Sequence, residues 1–173
     1  MEKWDILDSY GGNTGKTAVR GKYFMRPGEY HLVVHIWVVS KRGEFLIQRR
    51  SENKKLMPGE WAATGGAAIS GETSFCAAQR ELLEELGISC TQRLCKKMGR
   101  VKKRNSFVDI WFTTSDADVS SLNLQTSEVA EARWVSEDTL RTMVEQKQFH
   151  NYGKEYFDMI FQYAKDYRNE FFG

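Results

Sequence analysis

One stretch of this chain, Arg80-Glu81-Leu82-Leu83-Glu84-Glu85, limits what it can fold into more than any other. It lies within a run of good helix formers, Glu72–Leu86, with apolar residues at 75, 78, 82, 83 and 86. Thr73 or Ser74 offers a cap, and Gly87 stands where a helix should stop. On such a helix Glu81, Glu84 and Glu85 fall at i, i+3 and i+4 and project from one face. Phe75, Ala78, Leu82 and Leu86 lie opposite and would anchor the helix to a sheet. Three like charges on one face destabilise a helix unless a cation sits between them. Carboxylate oxygens suit Mg2+ or Mn2+. A solvated acidic face shows the same triplet, so the triplet alone does not decide between surface and site.

The surrounding residues do. Gly66, Glu72, Arg80, Glu81, Leu82, Glu84, Glu85, Gly87 and Ile88 reproduce the spacing G-x5-E-x7-R-E-U-x-E-E-x-G-U, with U aliphatic, without a departure. In this register the chain resembles the Nudix hydrolases. The motif, the Nudix box, covers 66–88, and the flanking strand order is similar from about residue 28 to 165. The resemblance implies a Nudix fold of the α+β class: a mixed β-sheet sandwiched between helices (α/β/α), with a loop–helix–loop catalytic motif. It assigns Glu81, Glu84, Glu85 and the Gly66 carbonyl to a metal, Mg2+ or Mn2+, and gives Glu72 and Arg80 the task of bracing the loop against the helix. It implies hydrolysis of a diphosphate linkage in a nucleoside diphosphate derivative or a nucleoside di- or triphosphate. The partner is then a small phosphorylated molecule. A divalent cation neutralises phosphate oxygens that repel hydroxide and makes water easier to deprotonate. Glu84 or Glu85 can receive that proton. Many family members instead recruit a base from a later loop, where Glu128 and Glu131 are the candidates.

The rest of the chain supplies a scaffold of ordinary size. At 173 residues, with 41% hydrophobic residues, it reads as one domain, 1–173, with a real core. Residues 4–7 and 17–20 flank a polar, Gly-rich stretch and predict an N-terminal hairpin extension within 1–26. His31–Val39 predicts a buried strand, Glu44–Arg49 a second, and Phe107–Thr113 and Ala132–Val135 two more. Ala62–Gly66 should approach or join the sheet. Two helices follow, about 137–146 and 155–169. The hairpin edge could pair with a second subunit to make a homodimer, or cap its own sheet.

Charge and composition narrow the partners. A formal net charge of +2 creates no global field for nucleic acid or membrane. Three cysteines without a CxxC pair read as free thiols, and no apolar leader precedes the first strand, so a cytoplasmic protein is expected. Arg49 could reach substrate phosphates with its planar fork. The basic run Lys96–Arg104 reads as a solvated turn more readily than as an electrostatic funnel. Trp37, Trp61, Trp111 and Phe107 have core packing as their usual fate. His31 and His35, four apart on a strand, share a face and read as packing residues rather than ligands.

The segments WDILD, PGEYHLVVHIWV and PGEWAAT also resemble the isopentenyl-diphosphate isomerases, which share this scaffold. Their catalytic cysteine precedes a Gly-His pair. Here the matching residues are Thr64, Gly65 and Gly66, and a threonine hydroxyl does not replace a thiol of accessible pKa. Hydrolysis is therefore expected ahead of isomerisation. A third reading, a non-catalytic Nudix ligand-binding domain, would be expected to have lost a carboxylate, and all three are present.

Overall fold

A computed structural model describes residues 1–173. The chain runs β1 (Lys3–Leu7), β2 (Asn13–Val19), β3 (His31–Val39), β4 (Phe45–Arg50), β5 (Trp61–Ala62), β6 (Thr64–Ala67) and α1 (Ser74–Leu86). It continues with β7 (Lys96–Lys102), β8 (Ser106–Thr114), a 3-10 turn, β9 (Val129–Val135), α2 (Glu137–Glu145) and α3 (Lys154–Phe172). Strands β3 to β9 form one mixed sheet, and β1 and β2 form a separate two-stranded one.

β3 is the spine of the large sheet because its nine residues are β-branched, apolar or aromatic on both faces. It runs parallel to β8 along its whole length, from His31↔Ser106 to Val39↔Thr114. On its other side it pairs with β4 only at Val38↔Leu46 and Val39↔Phe45. Below that point β3 and β4 part. β5 continues the pairing with β4 and β6 the pairing with β3, from Ile36↔Thr64 to Val33↔Ala67. The sheet thus splits where the chain enters the Gly65-Gly66 pair. Close approach is what demands glycine there: a Cβ on Gly65 would lie 2.1 Å from the Val34 carbonyl oxygen.

The period-2 alternation of β3 sorts two cores. Val34, Ile36 and Val38 pack with Ala77, Ala78, Leu82 and Leu86 of α1. Trp37 and Val39 pack with Leu140 and Met143 of α2 and with Phe157, Ile160, Phe161 and Tyr167 of α3. Helices therefore cover both faces, as expected. The α1 cap is Thr73, whose hydroxyl accepts from the Cys76 N–H at 3.2 Å, and Gly87 closes the helix at φ 69°.

Lys96–Lys102 is an edge strand, where the sequence suggested a turn. A register shift between Lys97 and Gly99 breaks the alternation that would have revealed it. The same shift brings Lys97 and Arg100, three apart, onto one buried carboxylate. Asp109 accepts from Arg100 Nε at 2.5 Å, Arg100 Nη2 at 2.9 Å and Lys97 Nζ at 2.8 Å. Burial pushes its carboxyl up, but these donors hold it below its usual range. Part of the basic run is spent on this internal pairing, and its remaining lysines charge an exposed edge.

The hairpin is tied to its own chain by reciprocal backbone bonds between Leu7 and Tyr30, at 2.7 and 2.9 Å. Ile6, Leu7 and Ala18 are buried by this docking. None of the helices is long and apolar enough to cross a membrane.

His31 and His35 do share a face of β3. His31 stacks on Trp4 at 4.3 Å, and burial drops it to about 4. His35 joins β3 to α3: Trp37 Nε1 donates to the Tyr156 hydroxyl at 3.0 Å, and that hydroxyl meets His35 Nδ1 at 2.7 Å. Burial drops His35 to about 3, with the Lys103 and His150 charges acting in the same direction. The ring is therefore neutral, and it shares a hydrogen bond between Nδ1 and the Tyr156 hydroxyl. Unfolded, a histidine takes its proton near 6.5. The unfolded state binds the extra proton between about 6.5 and about 3, so this part of the stability is whole above that window and lost as pH falls through it. Denaturant melts of the native chain and of His35→Gln, between pH 7 and pH 4.5, check this. Below the unfolded pKa the native slope should exceed that of the variant by up to about 1.4 kcal/mol per pH unit.

Candidate active site

The site is built on the split in the sheet. Gly66 leaves β6 on the α1 side, and the loop from Ala68 to Thr73 returns the chain to the start of α1. Arg80, one and a half turns into that helix, is the hub. Its Nε donates to Glu72 Oε1 at 2.7 Å and its Nη2 to Glu72 Oε2 at 2.9 Å, a bidentate pair. Nη2 also reaches the Ala67 carbonyl at 3.1 Å, while Nη1 reaches Glu81 at 2.8 Å and Glu84 at 3.2 Å. Glu72 in turn accepts from the Ile69 N–H at 2.9 Å. Loop and helix are thereby locked through one guanidinium, whose own pKa is raised first by the Glu72 hydrogen bond.

The three helix carboxylates are not equivalent. Glu84 is half exposed, Glu81 is 14% exposed and Glu85 is buried. Glu85 thus belongs to the packed side of α1, beside Leu82 and Leu86. Its Oε2 accepts from Gln48 Nε2 at 2.8 Å and from the Gly65 N–H at 3.3 Å. Burial pushes its carboxyl up to about 7; Gln48 pulls down and the charge of Glu81 pushes up. Glu81 is also raised, by burial first, against the pull of Arg80. As they stand, the carboxylates turn to protein partners rather than to one common point.

The donor set nonetheless fits a hard divalent cation. It is all oxygen, and burial raises two of its carboxyls, Glu81 and Glu85, whose ionised forms a bound cation would favour. Gly66 leaves the necessary room: a Cβ there would lie 2.3 Å from Glu81 Oε1.

Arg49 and Glu131 do not join this cluster. They are cross-strand partners whose side chains meet at 3.4 Å, and Arg49 also binds Glu52 at 3.3 Å. Alternation along β4 explains it, since Gln48 faces α1 and Arg49 therefore faces away. Arg50 follows a register shift; its Nε donates to the Leu56 carbonyl at 3.1 Å, and its charge lowers Glu85. Glu128 lies beyond a register shift in the β4–β9 pairing and is ion-paired to Lys54. Of the four aromatic residues singled out, Trp37, Trp61, Trp111 and Phe107 are all buried, as packing residues should be.

Gln48 is the site residue that the sequence reading missed. A polar residue at the Leu46 phase of a buried strand was the available signal. Its Oε1 and the Thr64 hydroxyl are buried without partners.

The NUDIX domain family model matches residues 29–157. The chain belongs to the Nudix hydrolase family. It is 39% identical over 153 residues to an uncharacterised Nudix hydrolase of Listeria monocytogenes, covering 88% of this chain and 90% of that one. It is 36% identical over 86 residues to an isopentenyl-diphosphate Delta-isomerase of Streptomyces coelicolor, covering 49% of this chain and 43% of the isomerase. The crystal structure of DR0079 from Deinococcus radiodurans superposes with a TM-score of 0.74 at 22% identity, over 98% of this chain and 99% of the other. The fold is a Nudix fold, and the enzyme class is that of a pyrophosphohydrolase.

The space at Gly66 gives this Nudix site a direct test. The clash in Gly66→Ala is with a side-chain end, so the fold can yield by moving Glu81. Thermal unfolding should stay near native, while, if Glu81 serves the reaction, diphosphate hydrolysis should fall by about a hundredfold, the cost of a misplacement of an ångström. Melting curves and phosphate-release rates on the same preparation separate the two effects.

Proposed function

We propose that the chain hydrolyses a diphosphate linkage in a nucleoside diphosphate derivative or a nucleoside di- or triphosphate, with Mg2+ or Mn2+ as cofactor. The observation that carries the reading is the carboxylate ridge of α1 braced through Arg80, with Gly66 opposite Glu81. In this reading the Gly66 carbonyl, Glu81, Glu84 and Glu85 hold the cation. When bound, it neutralises phosphate oxygens and eases the deprotonation of water.

The chain's own residues do the rest. Glu72 and Arg80 fix the distance between loop and helix, so the ligands on each keep their relation. Gln48 and the Gly65 N–H hold one oxygen of Glu85, which leaves the other available. Glu84 or Glu85 accepts the proton from the attacking water. Glu128 is the alternative base, and it would first have to leave Lys54. Arg49 could meet substrate phosphates on leaving Glu52 and Glu131, and the charge of Arg50 is felt at Glu85.

Isomerisation of a prenyl diphosphate is disfavoured by the hydroxyl of Thr64 at the cysteine position and by Gly66 at the histidine position. A phosphate-release screen across nucleotides, nucleotide sugars and dinucleotides, with Mg2+ and with Mn2+, tests the proposal. Glu84→Gln and Glu85→Gln should each lower turnover on any cleaved substrate by at least about a hundredfold, more than a lost supporting contact costs. Native rates in either variant would rule out the mechanism, and double-bond isomerisation of isopentenyl diphosphate by the native chain would favour the isomerase reading.

A further inference from the structure

The N-terminal hairpin lies outside residues 29–157, yet it grips the loop that carries the site. Asp5, on β1, accepts from the Ser70 hydroxyl at 2.5 Å and from the Gly71 N–H at 3.0 Å. The Ser70 N–H donates to the Lys3 carbonyl at 2.8 Å. Gly71 adopts φ 88°, a left-handed conformation that L side chains rarely take, and that turn presents its N–H to Asp5. The next residue is Glu72, the partner of Arg80. A continuous set of bonds therefore runs from Asp5 through Ser70–Glu72 to Arg80, and on to Glu81 and Glu84.

The hairpin itself is held in place independently. Leu7 and Tyr30 exchange backbone bonds, and Trp4 stacks on His31 with the rings 11° from parallel. Asp5 is thus carried by an anchored element, and it holds a loop whose own hydrogen bonds are few. Between Ala68 and Thr73 the loop's other tethers are the Ala68 N–H to Leu32, a turn bond from Glu72 to Ile69, the Glu72 side chain and the Thr73 cap on α1.

We propose that Asp5 is a positioning residue of the carboxylate site, acting through Ser70, Gly71 and Glu72 on Arg80. The proposal rests on the reading of Glu81, Glu84 and Glu85 as cation ligands. A structural contact alone would affect only the melting temperature, whereas a positioning contact also sets how well the ligands hold a cation.

The test measures Mn2+ binding by electron paramagnetic resonance, and thermal unfolding, on the full chain. Asp5→Ala and Ser70→Ala are compared with their double variant, with Asn13→Ala and with Glu81→Gln. Asn13 Nδ2 donates to the same Asp5 carboxylate from within the hairpin, at 3.2 Å, so Asn13→Ala disturbs the hairpin without cutting the loop contact. Asp5→Ala and Ser70→Ala should each weaken Mn2+ binding by about tenfold. The double variant should be no weaker than Asp5→Ala, because the Ser70 hydroxyl bond is one that Asp5→Ala already cuts. Asn13→Ala should lower the melting temperature and bind Mn2+ as the native chain does. Should Asp5→Ala fail to fold, Ser70→Ala reads the same contact from the loop side. Native Mn2+ binding in Asp5→Ala or Ser70→Ala, with binding lost in Glu81→Gln, overturns the proposal and leaves the metal reading standing. Native binding in Glu81→Gln removes the metal reading, and this proposal with it.

Discussion

The guanidinium of Arg80 makes the rest of the site possible. Four glutamates, at 72, 81, 84 and 85, are gathered from the loop before α1 and from the second half of the helix, and their mutual repulsion would push loop and helix apart. Arg80 answers three of them directly and one backbone carbonyl besides. A lysine could not do this, because the contacts use the width of a planar fork. Glu85 is the one left to other donors, and burial leaves it near 7. The cluster is therefore arranged around one cation of the protein's own and is suited to a second from solution.

Arg80 can act only because the sheet splits beneath it. β3 needs two different partners, β4 at its C-terminal end and β6 nearer its N-terminal end, and the wedge formed by β5 and β6 fills the gap. That wedge delivers Gly65 and Gly66 beside α1, and it exposes the Gln48 side chain of β4 to Glu85. The carboxylate cluster, helix packing and strand pairing thus meet within a few residues. The basic edge strand and the hairpin lie further out, each tied back by a carboxylate: Asp109 for β7, and Asp5 for the hairpin on the loop before α1.

Much of this was legible in the sequence where a physical rule acts locally. The β3 boundaries follow from its apolar run, and the α1 ends follow from Thr73 and Gly87. The identity of the carboxylate ridge follows from i, i+3, i+4 spacing. What escaped did so for stated reasons. β7 hid behind a bulge that breaks the alternation and behind charges that a buried Asp109 absorbs. Arg49 looked apt by residue type, but strand alternation turns it from α1 and gives the α1-facing phase to Gln48. Asp5 was one acid in a polar hairpin until docking placed it on Ser70 and Gly71.

By itself, the sequence determined the helix with its three glutamates, the residues that brace it and the family to which it belongs, because these depend on spacings along one continuous segment. Only the tertiary structure decided which of those glutamates is buried, which arginine faces them and which distant residues hold the loop. Those outcomes depend on the phase of β4, on a strand that changes partner and on a hairpin that folds back over some sixty residues of chain. Periodicity within one element does not specify which face another element will cover; that is set when the elements pack.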